Sequence, residues 1–294
     1  MDNAIFKKTI LVTGANGQLA SEIKFISERF PLYHFLFTTR EELPIDDKEA
    51  VRNFFEKQQI HYCINCAAYT AVDKAEENKE EAFKINADAA GDLASICSDH
   101  QTKLIHISTD YVFDGNSSVP LKEEDAVAPL NIYGMSKLRG EEYILNRNPA
   151  SIIVRTSWVY SSYGNNFVKT ILRLCGERDK LNVINDQYGC PTYAADLAEV
   201  IMKFIDNIED DKNYAGIFNY CNAGITSWFD FALAIKKNSN SQCEIFPIAS
   251  SQYKTAAKRP ANSILDTSKI KATLNIEIPV WEDSLKKCLA ILHK

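Results

Sequence analysis

The sequence predicts an α/β protein organised around a doubly wound parallel sheet. Three observations carry that reading. Short, almost continuously apolar runs recur through the N-terminal half. Between them lie segments whose apolar residues return at helical spacing. A glycine-containing turn, TGANGQLA, sits where the first run meets the first helix. Near-continuous apolar strands separated by helices suit a sheet covered on both faces.

The elements follow in order. KTILVTG (8–14) is the first strand, and QLASEIKFISERF (18–30) a helix with Leu19, Ile23, Ile26 and Phe30 on one face. YHFLFTT (33–39) is the second strand, followed by DDKEAVRNFFEKQ (46–58), a helix opened by acidic residues. HYCINCA (61–67) is the third, before the long helix EEAFKINADAAGDLASICSDH (80–100). KLIHIST (103–109) is the fourth. A loop leads to NIYGMSKLRGEE, which starts a helix with Pro129 ahead of it and Asn131 as N-cap. SIIVRTS (151–157) is the fifth strand. Beyond Val159 the alternation loosens. There 167–175, 195–208, 228–238, 266–274 and 281–294 read as helices and 216–221 as a strand. The expected organisation is a first domain over 1–160 and a smaller C-terminal α/β domain over 161–294, with the segment near 185–208 returning to the first.

Composition narrows the class. The chain has 294 residues, enough for a sizeable core, with 46% hydrophobic and 24% charged residues. A net charge of -6 gives no reason to expect nucleic acid or an anionic membrane as partner. No apolar run reaches the roughly 18 residues that span a bilayer. The start, MDNAIFKKTILVTGANG, lacks a signal-peptide layout, so a soluble cytoplasmic protein is expected. Among eight cysteines only Cys63 and Cys66 are close, as CINC. Three residues along a strand span about 10 Å, too far for a disulfide, and no second metal-ligand pair follows. The cysteines read as reduced, with no metal site.

The chemistry is concentrated at four places. Gly14 and Gly17 stand where a strand turns into a helix, with the spacing G-x-x-G-x-x-A. Glycine there lets backbone approach a pyrophosphate resting on the helix N-terminus, with Asn16, Gln18 and Leu19 beside it. A tight turn serving only packing is the alternative. The sheet is then Rossmann-like. No acid closes the second strand; Thr39 and Arg40 stand there. An arginine accepts a 2′-phosphate, which favours NADPH over NADH, although a solvated surface charge would look the same. Asp46 and Asp47 either cap a helix or lie beside the adenine. STDYVFDG delivers Ser108 and Thr109 to the carboxyl end of a central strand, where such sheets bind ligands.

Tyr133 precedes Lys137 by four residues. On a helix these share a face, with Cβ atoms roughly 5–6 Å apart. The ammonium is expected to pull the phenol down from a pKa of about 10 toward neutrality. Two polar residues on a wet helix face would show the same spacing. Gly134 and Gly140 are poor helix formers and make sense where something comes close to the backbone.

Taken together, TGANGQLA, STDYVFDG and YGMSK resemble the extended short-chain dehydrogenase/reductases. NCAAYTAVDKAE, RTSWVY, GNNFVKTIL, NDQYGCPTYAADLA and RPANSILDTSKI are similar to the dTDP-4-dehydrorhamnose reductase family, over nearly the whole chain. That resemblance implies reduction of the C4 ketone of dTDP-4-dehydro-L-rhamnose, with Thr109, Tyr133 and Lys137 as the triad. It implies that Ala67, Ala68 and Tyr69 pass close to the cofactor. Thr70, Val72, Asp110, Tyr111 and Trp158 would meet the sugar, and Arg259 and Asn262 the nucleotide end. The implied partner is a small-molecule nucleotide sugar bound by the C-terminal domain. A homodimer and Mg2+ at a subunit contact stay open. Ala20 departs from the pattern where a third glycine is usual, as do Cys66 and Met135. The rival readings are a nucleotide-sugar epimerase or dehydratase of the same superfamily, and a regulatory Rossmann subunit without chemistry.

Overall fold

Lys8–Thr13 forms β1 at the centre of the sheet, because Ile10, Leu11 and Val12 are fully buried between helices on both faces. The computed structural model describes residues 7–209, 214–239 and 241–293. Residues 1–6, part of the start read above as leaderless, lie outside them. From β1 the chain runs through α1 (Gln18–Ile26), β2 (Tyr33–Thr38), α2 (Lys48–Lys57) and β3 (Tyr62–Asn65). The first helix stops at Ile26 and closes with a 3₁₀ turn, Ser27–Arg29, short of the expected residue 30.

The long helix expected over 80–100 is interrupted. Short helices α3 (Val72–Ala75) and α4 (Lys79–Phe83) lead into a π-helical stretch, Lys84–Ala89, before α5 (Ala90–Asp99). The wide turn aims the buried Asn86 inward. Its Oδ1 accepts from the Tyr69 N–H at 2.8 Å, and its Nδ2 donates to Ser136 Oγ at 3.0 Å. π-turns of this kind are frequent at functional sites. Then come β4 (Lys103–Thr109), α6 (Ile132–Arg147) and β5 (Ile152–Thr156). Asn131 caps α6 by accepting from the Gly134 N–H at 2.8 Å. A Cβ on Gly140 would stand 2.1 Å from the Asn86 carbonyl oxygen, and one on Gly134 2.2 Å from that of Tyr111. These glycines are close-approach points.

The remaining elements are β6 (Val159–Tyr160), α7 (Phe167–Glu177), β7 (Lys180–Ile184), β8 (Tyr188–Gly189), β9 (Thr192–Tyr193) and α8 (Ala194–Glu209). They continue with β10 (Gly216–Tyr220), β11 (Thr226–Ser227), α9 (Trp228–Ser239), β12 (Glu244–Ile248), α10 (Ser268–Leu274) and α11 (Trp281–Leu292). The main sheet has the order β10-β5-β4-β3-β1-β2, parallel throughout. The order reverses between β1 and β3, where open α/β sheets bind ligands.

One face of the sheet buries Leu19 and Ile23 of α1 with Leu197, Ile201 and Phe204 of α8 and Ile270 and Leu274 of α10. The other face buries Val51, Phe55, Leu93 and Ile144. A separate core gathers Val168, Ile171, Phe231, Ile235, Trp281 and Leu285. The chain after residue 160 is therefore shared: α8, β10 and α10 build on the main sheet, and α7, α9 and α11 on the second core.

Candidate active site

The end of β1 turns at Gly14, whose φ of +67° favours glycine. A Cβ there would meet the Ala67 backbone at 2.9 Å. Gly17 precedes α1 with no side-chain cap, so the helix N-terminus is left for an anion. This turn forms one end of a cavity of about 690 Å³. Its wall includes Gly14, Asn16, Gly17, Gln18, Leu19, Arg40, Asp46, Ala67 and Ala68. Farther along it includes Thr70, Val72, Thr109, Asp110, Tyr111, Tyr133, Lys137 and Trp158. Three expected site residues lie outside that wall. Tyr69 packs beside Ile45 and Ile85. Arg259 forks onto Asp73 at 2.6 and 3.1 Å, and Asn262 donates to the Ser117 carbonyl at 2.5 Å.

At the cofactor end, Asp46 pairs with Lys84 at 2.6 Å, which holds its carboxyl below the ordinary range. Asp47 accepts from the Ala50 N–H at 2.9 Å and so is the cap of α2. Arg40 is exposed and only loosely paired with Glu81 at 3.4 Å. An exposed guanidinium at the rim, a glycine cradle and an open helix N-terminus together fit a nicotinamide dinucleotide. The described residues contain no cluster of three or more His, Cys, Asp or Glu side chains able to hold a metal ion. All eight cysteines are free thiols.

Around the reactive centre, the Tyr111 N–H donates to Thr109 Oγ1 at 3.2 Å, and the Thr109 hydroxyl donates to Asp110 at 3.1 Å. The Tyr111 and Tyr133 rings meet edge to face at 5.7 Å. Burial raises Asp110 to about 7, against hydrogen bonds from Ser263 and Thr109. Trp158 is forced into the left-handed region, φ +49°, and stacks on Trp228 with ring centroids 3.5 Å apart.

One expectation is corrected. Lys137 does not draw Tyr133 toward neutrality; burial pushes the phenol up to about 12, with the neighbouring Thr109 hydroxyl opposing. The physical reason is where the lysine head goes. Its Nζ donates to the Ile107 carbonyl at 2.7 Å and lies 3.0 Å from His106 Nε2. Burial lowers Lys137 itself to about 8, with the charge of Glu141 opposing. A phenol at about 12 keeps its proton at neutral pH, as a general acid must.

The cavity wall also includes Cys66, Thr156 and Asn165, which lie within quoted motifs without being named as site residues, and Ile107 and Trp228, which lie in none. Trp228 opens α9, about 70 residues after its stacking partner in sequence, and no local spacing announces such a pair.

A tyrosine four residues ahead of a lysine, over the crevice where a doubly wound sheet reverses order, defines an oxidoreductase of the extended short-chain dehydrogenase/reductase class. Within that class the chain belongs to the RmlD substrate binding domain family, which it matches over residues 8–294. A dTDP-4-dehydrorhamnose reductase of Aggregatibacter actinomycetemcomitans is 40% identical over 288 residues, 96% of this chain and 98% of the relative. The crystal structure of a dTDP-4-dehydrorhamnose reductase from Clostridium acetobutylicum superposes with a TM-score of 0.93 at 39% identity, covering 97% of this chain and all of that one. The Bacillus anthracis dTDP-4-dehydrorhamnose reductase, solved in complex with NADP, gives 0.92 at 36% identity, with coverage of 97% and 100%.

Proposed function

We propose that this chain reduces the C4 ketone of dTDP-4-dehydro-L-rhamnose with NADPH to give dTDP-L-rhamnose. The observation that carries this is the convergence of Thr109, Tyr133 and Lys137 on one cleft whose far end is the Gly14 turn. The named relatives support the same substrate. When bound, the reduced nicotinamide supplies hydride to the ketone carbon. Gly14, Gly17 and the start of α1 bind its pyrophosphate, Arg40 its 2′-phosphate, and Lys137 its ribose.

Thr109 turns its hydroxyl from Asp110 to the ketone oxygen and stabilises the charge developing there. Tyr133 delivers its phenolic proton to that oxygen. Thr70, Val72, Asp110 and Tyr111 surround the hexose, and Trp158, held by Trp228, forms its platform. Arg259, held by Asp73, and Asn262 are assigned to the nucleotide end of the substrate, outside the cavity wall. The reading needs neither a second copy of the chain nor Mg2+.

Arg40→Ala is expected to raise the Kd of NADPH more than that of NADH, since only the former has a 2′-phosphate to lose. Equal losses would make Arg40 a surface charge. The function itself is tested by turnover. One NADPH should be oxidised for each dTDP-4-dehydro-L-rhamnose consumed. Conversion of a nucleotide sugar with no net loss of reduced cofactor would instead mark an epimerase or dehydratase.

A further inference from the structure

We propose that Asp73 is a positioning residue for the nucleotide end of the substrate: it grips one edge of the Arg259 guanidinium and leaves the adjacent edge for the diphosphate. This rests on the assignment of Arg259 to that end in the proposed function. A guanidinium is planar, and its N–H donors form parallel forks along its edges. At Arg259 one fork is taken. Nη1 donates to Asp73 Oδ1 at 3.1 Å and Nη2 to Oδ2 at 2.6 Å. The other Nη1 proton goes to the Ala257 carbonyl at 3.1 Å. The Nε–H and the second Nη2–H remain, and these point the same way from a single edge. Among the described residues they meet no acceptor. Two parallel donors on a cation match two oxygens of a phosphate.

The pair stands beside the substrate end of the cleft. Val72, next to Asp73 on α3, lines the cavity. So does Tyr111, whose phenol lies within electrostatic reach of both Arg259 and Asp73. Asp73 also fixes the backbone that carries the arginine, because its Oδ1 accepts from the Ala257 N–H at 3.0 Å. The Lys258 carbonyl accepts from Asn131 Nδ2 at 2.8 Å. Asn131 caps α6, and Glu76, just after α3, accepts from the Ile132 N–H at 2.8 Å. The arginine and the turn that bears Tyr133 are thus tied to one short helix. That helix sets the spacing between the phosphate anchor and the proton donor, the length a nucleoside diphosphate hexose has to span.

Stability does not account for the pair. The Arg259 side chain is 21% exposed and that of Asp73 44%, and ion pairs so open to water add little to folding. What Asp73 supplies is direction. An arginine swinging freely loses rotamer freedom when a phosphate arrives, whereas one already gripped has lost it beforehand. The carboxylate works against the anion as a charge and for it as a holder, so its removal tells the two apart.

The test is binding of dTDP and UDP to the NADPH-loaded full-length protein, followed by calorimetry. Asp73→Asn keeps an oxygen for Ala257 and Nη1 but sets an NH2 against Nη2. It should weaken both nucleotides about tenfold, within the usual worth of a hydrogen bond to a charged group, and leave the Kd of NADPH where it was. Asp73→Glu, whose carboxylate still reaches the guanidinium, should recover most of that loss. In an Arg259→Ala background Asp73→Asn should add nothing further, because the aspartate acts through the arginine. In turnover, KM for the nucleotide sugar should rise in Asp73→Asn while kcat holds. Unchanged or tighter dTDP binding in Asp73→Asn overturns the proposal, as does the same loss with and without Arg259, or a wild type that binds neither nucleotide. Failure to reduce dTDP-4-dehydro-L-rhamnose, with these binding results intact, would count against the substrate reading alone.

Discussion

Tyr133→Phe is expected to lower kcat for NADPH oxidation by roughly 10²–10⁴-fold, the usual worth of a positioned proton donor. The ring would keep its edge-to-face contact with Tyr111 at 5.7 Å, so the helix and the cleft wall should survive. Cofactor Kd is expected to change little, because the lost hydroxyl is assigned to the ketone oxygen. Steady-state kinetics with dTDP-4-dehydro-L-rhamnose, beside a fluorescence titration with NADPH, separates the two effects. Undiminished kcat in the phenylalanine variant would remove Tyr133 from proton transfer. The phenol's pKa of about 12 adds a sign: the acid form persists through neutral and moderately alkaline pH, so Tyr133 itself should impose no fall in rate there.

The second large effect is on stability. Glu141 on α6 takes a forked pair of bonds from Arg155, Nε at 3.0 Å and Nη2 at 2.7 Å, and a third from Ser108 at 2.5 Å. Both side chains are at most 3% exposed. Arg155 also donates to the Glu123 carbonyl at 3.2 Å and lies over the Phe113 ring. Arg155→Met would leave a buried carboxylate without its counter-charge. Breaking a buried pair from one side costs about 3–5 kcal/mol. Urea unfolding should show that loss, and adding Glu141→Gln should recover part of it, since the uncompensated charge is then gone. A single variant as stable as the wild type would mean that Glu141 finds another partner or takes up a proton.

The strands declared themselves through composition. Because a parallel sheet is buried on both faces, its strands need no alternation, and KLIHIST could be bounded to the residue at Lys103–Thr109. The glycine turn and the Tyr133–Lys137 spacing were equally readable, since each is a local pattern tied to one local geometry. What escaped was set by distant partners. The π-turn at Lys84–Ala89 leaves the helical apolar pattern nearly intact and shows itself only through Asn86 bonding to Tyr69 and Ser136. The partner strand of Gly216–Tyr220 depends on which sheet edge is free. Spacing puts Lys137 on one helix face with Tyr133, yet the competition for its head from the Ile107 carbonyl and His106 lies on another strand. Arg259 has the charge for a diphosphate, and its engagement with Asp73, 186 residues away, is invisible in the sequence.

The last strand of the main sheet is delivered late. Gly216–Tyr220 completes one flank of the sheet beside Ile152–Thr156, and Ile270 and Leu274 finish the cover over its face. During synthesis the N-terminal five strands therefore emerge with an unpaired flank and an uncovered apolar face until nearly the whole polypeptide has left the ribosome. An open strand flank of this kind is a template for pairing with other nascent chains. The fold accordingly ties its dinucleotide cleft to full-length translation: a chain halted near residue 160 would carry every group of the Thr109–Tyr133–Lys137 triad and still lack the framework that sets them in place.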